Sequence, residues 1–295
     1  MPGAGDGFRV RLLRFDHREH PVHIRFLNPR SELRAYIERL WVFDSAVGLP
    51  ADKTNIVPPN GYAKLVIPIL NSIDSASSKG KGHSRPGELY FVGNQDSPTV
   101  LNTSTSRTLF ATIEFKPNGA FPLFGVPMHE LANILCPVDA AFPGWGEEAR
   151  KIIRDAGDVD SKVAVMQERL LMASRRFALG NPLVSYCVEA LQRSSGLLPV
   201  AELAERTGYT SRYLEILFKQ HVGLSPKALA SIFRFQRFNH LWAQGTPYED
   251  VRIQLDSFYY DQAHFTREFK RLTGFPPRQY MRAINSDFCR RIASR

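Results

Sequence analysis

The last third of this sequence contains an internal repeat, which constrains the fold more than any other feature of the chain. Phe218 and Phe269 hold equivalent positions in two copies that are offset by 51 residues. The other matched pairs are Leu214 with Phe265, Lys219 with Lys270, and Gly223 with Gly274. In both copies, apolar residues recur at helical spacing before a glycine that ends the helix. The repeat therefore predicts two similar helical units.

The first copy predicts a helix-turn-helix unit. A short helix with the small residue Ala204 on its apolar face is followed by Gly208, where a tight turn needs positive φ. Thr210 and Ser211 then offer a cap for a second helix at residues 212–221. The predicted buried face of that helix consists of Leu217, Phe218 and either Tyr213 or Leu214. In such a unit, the second helix enters the major groove of DNA.

The second copy spans residues 248–274 and follows the same plan. Asp261 is expected to cap the helix that carries Phe265 and Phe269. A long helix at residues 225–243 is predicted to join the two units. This arrangement would place two reading helices on successive faces of the major groove, about 34 Å apart.

The segments that carry the repeat resemble the AraC/XylS family of transcriptional regulators. The resemblance rests on residues 203–214, 218–227, 234–237 and 261–274. The N-terminal part is similar to a sensor-like domain that accompanies a subset of this family, through residues 33–41, 57–61 and 115–127. The resemblance implies a protein that binds DNA and regulates transcription.

The family pattern also implies which side chains contact DNA. In the first unit the base-reading positions fall on Arg212, Glu215 and Ile216, with Ser211 and Lys219 nearer the phosphate backbone. In the second unit they fall on Gln262, Ala263, Thr266 and Arg267, with Lys270 nearer the backbone. The chemistry agrees in part, since Arg pairs with guanine, Gln with adenine and Glu with cytosine, while Lys and Ser suit phosphates. The alternative is that Arg212 and Arg267 only lie on solvated helix faces.

Two residues of the second unit depart from the family pattern. Phe258 stands where the family has glycine at the turn, and Gln254 stands where it has a small residue. A bulky residue in a turn that favours positive φ costs about 1–2 kcal/mol, and Gln254 would crowd the helix crossing. Either the turn is rebuilt or the unit docks imperfectly, so base reading is predicted more firmly for Arg212 than for Gln262 and Arg267.

Residues 21–125 are rich in short apolar runs that predict β-strands. The runs are 22–27, 40–44, 63–70, 89–93 and 108–115, and Pro, Gly and Asn residues separate them. One helix is expected at residues 31–39, with Ser31 as its N-cap. Residues 71–88 are rich in Ser, Gly and Lys and are expected to form a mobile loop. Regularly spaced short strands of this kind favour a β-barrel or a β-sandwich.

The pattern changes to helical spacing after Pro127. Helices are predicted at 128–135, 147–156, 161–179, 183–194, 199–206, 210–221, 225–243, 247–255, 261–272 and 276–284. The helix at 161–179 has an apolar stripe made of Val163, Met166, Leu170, Leu171 and Phe177. The predicted fold class is α+β. It comprises a β-barrel-like, sensor-like N-terminal domain (1–126), connecting helices that suit dimerisation (127–180), an all-α double helix-turn-helix DNA-binding domain (181–284) and a tail (285–295).

The composition fits a DNA-binding protein of the cytoplasm. The net charge is +9, and residues 181–295, with 16 basic and 10 acidic residues, contribute +6 of it, which favours a polyanionic partner. No apolar run approaches the roughly 18 residues of a membrane span, and the first residues do not resemble a signal peptide. The three cysteines, Cys136, Cys187 and Cys289, lie far apart, which indicates a reducing compartment without disulfides or a zinc site.

Enzymatic and metal sites find little support in the sequence. His17, His20 and His23 recur at three-residue spacing, but Pro21 breaks the helix that would bring them together. The sequence contains no glycine-rich phosphate loop, nucleophile elbow or Cys-x-x-Cys motif, so no catalytic residue, metal or cofactor is predicted. Cys136 lacks the cysteine cluster that a DNA-alkylation repair protein would need.

The expected function is sequence-specific DNA binding that regulates transcription, modulated by a small-molecule effector in the N-terminal domain. The expected partners are double-stranded DNA and, as candidates, RNA polymerase, the effector and a second copy of the chain, without a membrane. Aromatic residues that either line an effector cavity or only form the core are Trp41, Phe43, Tyr62, Phe91, Phe110 and Phe115. The alternatives are a constitutive or partner-regulated DNA binder whose N-terminal domain only dimerises, and a stand-alone sensor with degraded DNA binding.

Overall fold

The computed structural model describes residues 22–49, 55–176, 180–246, 250, 259 and 261–283. The predictions made for His17, His20, Phe177, Gln254, Phe258, Cys289, most of the 247–255 helix and the 285–295 tail lie outside the described residues. The described strands are β1 (Val22–Leu27), β2 (Ile37–Ser45), β3 (Ile56–Val57), β4 (Lys64–Leu70), β5 (Ile73–Ser77), β6 (Gly80–Ser84), β7 (Tyr90–Val92), β8 (Thr99–Thr103), β9 (Thr108–Phe115) and β10 (Leu135–Pro137).

Helices dominate the chain after β9. The described α-helices are α1 (Phe121–Phe124), α2 (Val138–Ala141), α3 (Gly146–Asp155), α4 (Val159–Arg176), α5 (Pro182–Arg193), α6 (Val200–Thr207), α7 (Ser211–His221), α8 (Pro226–Ala243), α9 (Gln262–Thr273) and α10 (Pro277–Ala283). Short 3-10 helices occupy Ser31–Leu33 and Met128–Glu130. The predicted α+β fold class is confirmed. The domain boundaries at 126 and 180 remain predictions.

The strands form two open antiparallel sheets rather than the predicted barrel. The larger sheet has the order β1-β2-β9-β4-β7-β10, and the smaller has the order β3-β8-β5-β6. Within the described residues, the outer strands β1 and β10 do not pair with each other. At Asn71, where φ is 65°, the chain turns out of β4, and the next strand pairs with β8 in the smaller sheet. The chain therefore passes from the large sheet into the smaller one after β4.

Both faces of the large sheet are covered, since successive side chains on a strand point to opposite faces. On β9, Ala111, Ile113 and Phe115 belong to one buried cluster, which includes residues of α1 and α4. Phe110, on the other face, belongs to a second cluster, which includes residues of α5, α7 and α8. The helices predicted to bind DNA therefore belong to the same buried cluster as this face of the sheet.

The predicted helix at 31–39 is wrong. Only Ser31–Leu33 forms a single 3-10 turn, Ser31 does not cap it, and β2 begins at Ile37. This strand pairs with β1 on one side and β9 on the other, for example Phe43 with Ile24 and with Phe110. The buried, two-sided pairing outweighs the local helix preference.

Two further segments form strands where a loop and a helix were predicted. The 71–88 segment, predicted as a loop, forms the hairpin β5–β6, in which Ser75 pairs with Gly82. The predicted helix at 128–135 is limited to a 3-10 turn, and β10 follows at Leu135 because it pairs with β7. Besides its hairpin partner β6, β5 pairs with β8, and both β8 and β7 lie outside the segments that were assigned wrongly, so local patterns did not reveal these strands.

The helices after residue 145 agree with their predicted positions to within a few residues, as far as the structure describes them. Val163, Met166, Leu170 and Leu171 of α4 are buried, as the apolar stripe predicted. Among the described residues, no helix is long and apolar enough to span a membrane.

Candidate nucleic-acid interface

The first helix-turn-helix unit consists of α6 and α7. Gly208 ends α6 with φ 72° and ψ 10°, the left-handed conformation that the tight turn needs. The Thr210 hydroxyl accepts a hydrogen bond from the Tyr213 backbone N–H and so caps α7. Residues of both helices that are buried in the same cluster are Leu203, Leu214, Leu217 and Phe218. The turn and the cap predicted from the sequence are therefore confirmed.

The face of α7 opposite its buried residues is open to solvent. Arg212 is largely exposed, with a side-chain exposure of 78%. The Glu215 carboxylate lies 3.8 Å from the Arg212 guanidinium and 3.5 Å from the Lys219 ammonium. Exposed ion pairs of this kind are worth little, so they leave both cations available to a ligand. Ser211 and Ile216 are also exposed.

Tyr213 lies outside the buried face, and Leu214 is the buried residue of the two that the sequence left open. The Tyr213 ring stacks on Tyr209 with 5.1 Å between the centroids, and both rings are exposed. An exposed aromatic pair beside the reading helix escaped the sequence analysis, which considered Tyr213 only as a core residue.

The second unit presents α9 in a similar way. Asp261 caps the helix, because its carboxylate accepts a 2.6 Å hydrogen bond from the His264 backbone N–H. Phe265 and Phe269 are buried, and Gly274 ends the helix with φ 83°. The predicted contact residues Gln262, Ala263, Arg267 and Lys270 are exposed, and Thr266 is half-buried.

An ion pair that the sequence analysis did not single out ties α9 to α8. The Arg234 guanidinium donates two hydrogen bonds of 3.0 Å to the Glu268 carboxylate, and both side chains are largely buried. Arg234 also lies 5.4 Å from the Tyr259 ring centroid. Residues 234–237 resembled the family, but only the fold shows that Arg234 is a packing residue.

Both units are joined to the β-rich part by specific contacts. The Asn94 amide donates a 2.7 Å hydrogen bond to the Val222 carbonyl after α7. The Arg271 guanidinium on α9 donates 2.8 Å hydrogen bonds to the Asp96 carbonyl and to the Ser231 hydroxyl. These contacts hold the two candidate reading helices in fixed positions.

Comparisons with known proteins agree with this geometry. A family model described as a helix-turn-helix domain matches residues 203–283. The F1 operon positive regulatory protein of Yersinia pestis is 34% identical over 100 residues, which cover 34% of this chain and 32% of that protein. Residues 203–283 are an AraC-type helix-turn-helix domain. The chain matches only about a third of the length of this curated relative.

Other comparisons concern the rest of the chain. Residues 25–137 match a family model described as a domain of unknown function. A crystal structure of ToxT from Vibrio cholerae covers 84% of this chain and 98% of its own, with 11% identity and a TM-score of 0.45. ToxT bound to (E)-4-(8-methylnaphthalen-1-yl)but-3-enoic acid gives 12% identity and a TM-score of 0.45, over 82% of this chain and 97% of that one.

A cleft of about 220 Å³ lies between the β-rich part and helices α5 and α8. We call it the Arg39–Arg237 cleft, and its polar lining includes Arg39, Asn60, Tyr62, Gln236, Arg237 and His240. Its floor is a buried charge cluster, in which the Glu114 carboxylate contacts the Arg39 guanidinium and accepts a 3.1 Å hydrogen bond from Asn60. Burial lowers the pKa of the nearby Lys64, although Glu114 opposes that shift.

The aromatic residues proposed to line an effector cavity are mostly packed against other side chains. Phe43 stacks on Phe110 at 4.8 Å, and Trp41 contacts the same ring edge-on at 5.6 Å. Phe91 and Phe115 are completely buried. Tyr62 is the one member of that predicted set that lines the cleft next to the AraC-type domain, so a ligand site is better sought there.

The histidines and cysteines were the other residues considered for a metal or catalytic site. Among the described residues, no group of three or more His, Cys, Asp or Glu side chains is placed to hold a metal ion. Cys136 is half-buried and Cys187 is buried, and burial raises the pKa of the Cys187 thiol to about 11. His264 packs against Tyr259, with 5.5 Å between the ring centroids.

Proposed function

We propose that this protein binds DNA in a sequence-specific manner through α7 and α9 and thereby regulates transcription. The observation that carries the proposal is that two capped helices present all ten predicted contact residues on exposed or half-exposed faces of a fixed support. The AraC-type domain and its regulatory relative support this reading.

The exposed side chains have suitable chemistry for direct readout. Arg212 and Arg267 suit guanine O6 and N7, and Gln262 suits adenine. Ile216 and Ala263 offer apolar contact to the thymine methyl group. Lys219 and Lys270 neutralise phosphates, so we expect the affinity for DNA to fall steeply with salt.

The proposal is tested by fluorescence anisotropy on duplexes from the protein's own upstream region and on scrambled duplexes. Arg212→Ala and Arg267→Ala should each reduce the preference for the specific duplex, by about 1–3 kcal/mol for a bidentate guanine contact. Arg154→Ala is the matched control, because Arg154 is exposed on α3, whose buried residues belong to the cluster on the opposite face of the large sheet. Equal binding to both duplexes by the wild type, with or without added effector, would contradict specific recognition.

We also propose that a small molecule with an acidic group regulates the AraC-type domain from the Arg39–Arg237 cleft. The cleft offers the Arg237 guanidinium, the Arg39 guanidinium that already contacts Glu114, and several amides, drawn from the β-rich part and from α5 and α8. A ligand that contacts both walls favours the closed arrangement over any in which they separate. RNA polymerase remains a candidate partner that follows from the regulatory role alone.

Thermal unfolding in the presence of small organic acids, each beside its neutral amide, tests this site. An acid that binds should stabilise the wild type by about 2.7 kcal/mol at one hundred times its Kd, and Arg237→Ala should remove most of that gain. Arg193→Ala, an exposed arginine near the end of α5, is the control. Equal stabilisation by acid and amide, or an unchanged gain in Arg237→Ala, would overturn the assignment.

Two alternatives remain open to the same experiments. If no ligand stabilises the protein and DNA binding needs none, the N-terminal domain serves dimerisation, for which α4 with its exposed Met172 is a candidate surface. Light scattering of wild type and Met172→Glu would then show a dimer that the substitution weakens. If specific DNA binding is absent under all conditions, the stand-alone sensor gains support.

A further inference from the structure

The turn at residues 127–130 lies directly beside the reading helix α7. The Cβ of any residue replacing Gly223 would lie 2.7 Å from the Met128 carbonyl oxygen, so the two backbones are in close contact. The rings of Phe121 and His221 pack with centroids 4.2 Å apart. Met128 is buried. The turn is therefore fixed relative to the C-terminal end of α7.

The turn and the helix enclose a cleft of about 310 Å³. Pro127 and His129 form one wall, and residues on the reading face of α7 form the other: Arg212, Glu215, Ile216, Lys219 and Gln220. His129 is exposed, and Ile216 is 50% exposed. A side chain from outside the AraC-type domain thus borders the surface that is proposed to meet DNA.

The position of the 127–130 turn along α7 determines which part of the DNA His129 can contact. In helix-turn-helix units, the N-terminal residues of the reading helix contact the base edges, while phosphates lie at the borders of the groove. Arg212 stands in the first turn of α7, and Lys219 and Gln220 stand in the last. The 127–130 turn contacts Gly223 just after α7 and so adjoins the end of the helix at which we expect the DNA backbone to pass, while Arg212 in the first turn lines the same cleft.

We infer that the 127–130 turn is part of the DNA interface, with the His129 imidazole and the Lys219 ammonium binding the same backbone phosphate. This inference rests on the proposed DNA binding. It adds that the β-rich part contacts DNA directly, so the AraC-type domain does not account for the whole interface. The charged groups that line the same cleft are Arg212, Glu215 and Lys219, and the exposed Glu130 follows His129 in the chain.

An imidazole N–H that is held on a fixed turn donates to a phosphate oxygen without the cost of ordering a loop. A phosphate contact positions the protein without reading sequence. His129→Ala should therefore weaken binding to specific and scrambled duplexes alike, by about 3- to 10-fold. The effect should shrink at high salt if the lost contact is made to a phosphate.

The test is anisotropy across a salt series for His129→Ala, Lys219→Ala and the double variant. Loss of the Lys219 charge should lower the steepness of the salt dependence by about one unit. His129→Ala should cost less in the Lys219→Ala background than alone, because the shared phosphate is then already poorly held. His83→Ala, another exposed histidine, located on β6, is the matched control and should bind as the wild type does.

The outcomes separate this inference from the proposed function. Tighter binding by His129→Ala would show that the turn obstructs DNA and would overturn the inference, as would unchanged binding. If the effects of the two substitutions are additive, His129 and Lys219 do not bind the same phosphate, and that part of the inference is wrong. If Arg212→Ala and Lys219→Ala also leave binding unchanged, the proposed binding of DNA through α7 is itself wrong. Unchanged thermal unfolding of His129→Ala is expected, since its side chain is exposed, and shows that the variant is folded.

Discussion

At the scale of single residues, local caps and contacts between distant segments together stabilise the two helical units. Gly208, Thr210 and Asp261 act locally, so their roles follow from their neighbours in sequence. Asn94 and Arg271 bind backbone carbonyls far away in the chain. No local pattern identifies such residues. For the same reason, the sequence did not predict that His129 lies beside α7.

Gly223 is required both for its positive φ and for the close approach of its backbone to Met128. Its φ of 86° disfavours other residues, and an added Cβ would press on the Met128 carbonyl. Gly223→Ala should lower the free energy of unfolding by about 1–3 kcal/mol from backbone strain, and further through the clash. Gly208→Ala is the control, because its φ is 72° but nothing lies within 4 Å of the added Cβ. Urea denaturation measures both, and an equal loss would show that the contact with Met128 contributes nothing.

At the scale of elements, helices were easier to predict than strands. The apolar stripe of α4 and the capped helices α7 and α9 depend on residues within one segment. The β2 strand and the β5–β6 hairpin depend on partners elsewhere, namely β9 and β8. Pairing with distant strands thus determined the secondary structure of the segments that local patterns assigned wrongly.

The cap of α9 gives a prediction at this scale. Asp261→Ala removes the acceptor for the His264 backbone N–H and should destabilise the helix by about 0.5–2 kcal/mol. Because Gln262 and Ala263 lie in the first turn of α9, specific DNA binding should weaken as well. Asp261→Ser restores an acceptor and should recover most of both losses. Urea denaturation and anisotropy are the measurements, and a fully stable Asp261→Ala would show that the cap is dispensable.

At the scale of the whole molecule, the β-rich part and the AraC-type domain share a buried cluster. His221, at the end of α7, packs on Phe121 within this contact. Burial lowers the pKa of His221 below its ordinary value. The sequence predicted two parts but gave no sign that they are packed together, because the contact joins residues about a hundred positions apart.

This buried histidine predicts a pH dependence. Since the pKa of His221 is lower in the folded state, its contribution to stability is present above the ordinary histidine pKa of about 6.5 and is lost as pH falls through the folded value. The urea concentration at the unfolding midpoint should therefore decrease as the pH is lowered from 7.5 to 5. His221→Phe should make this dependence shallower, since it removes the titrating group. Parallel profiles for the two proteins would contradict the assignment.

We propose that the helices α7 and α9 enter neighbouring stretches of the major groove. Hydroxyl-radical and methylation-protection footprinting of the protein on its own upstream DNA tests this proposal. We expect two protected major-groove patches about 34 Å apart, or roughly one helical turn. Arg212→Ala should remove one patch, and Arg267→Ala should weaken the other. A single patch that Arg212→Ala abolishes and Arg267→Ala leaves intact would contradict reading by both helices, and a uniform, unlocalised pattern would contradict specific recognition altogether.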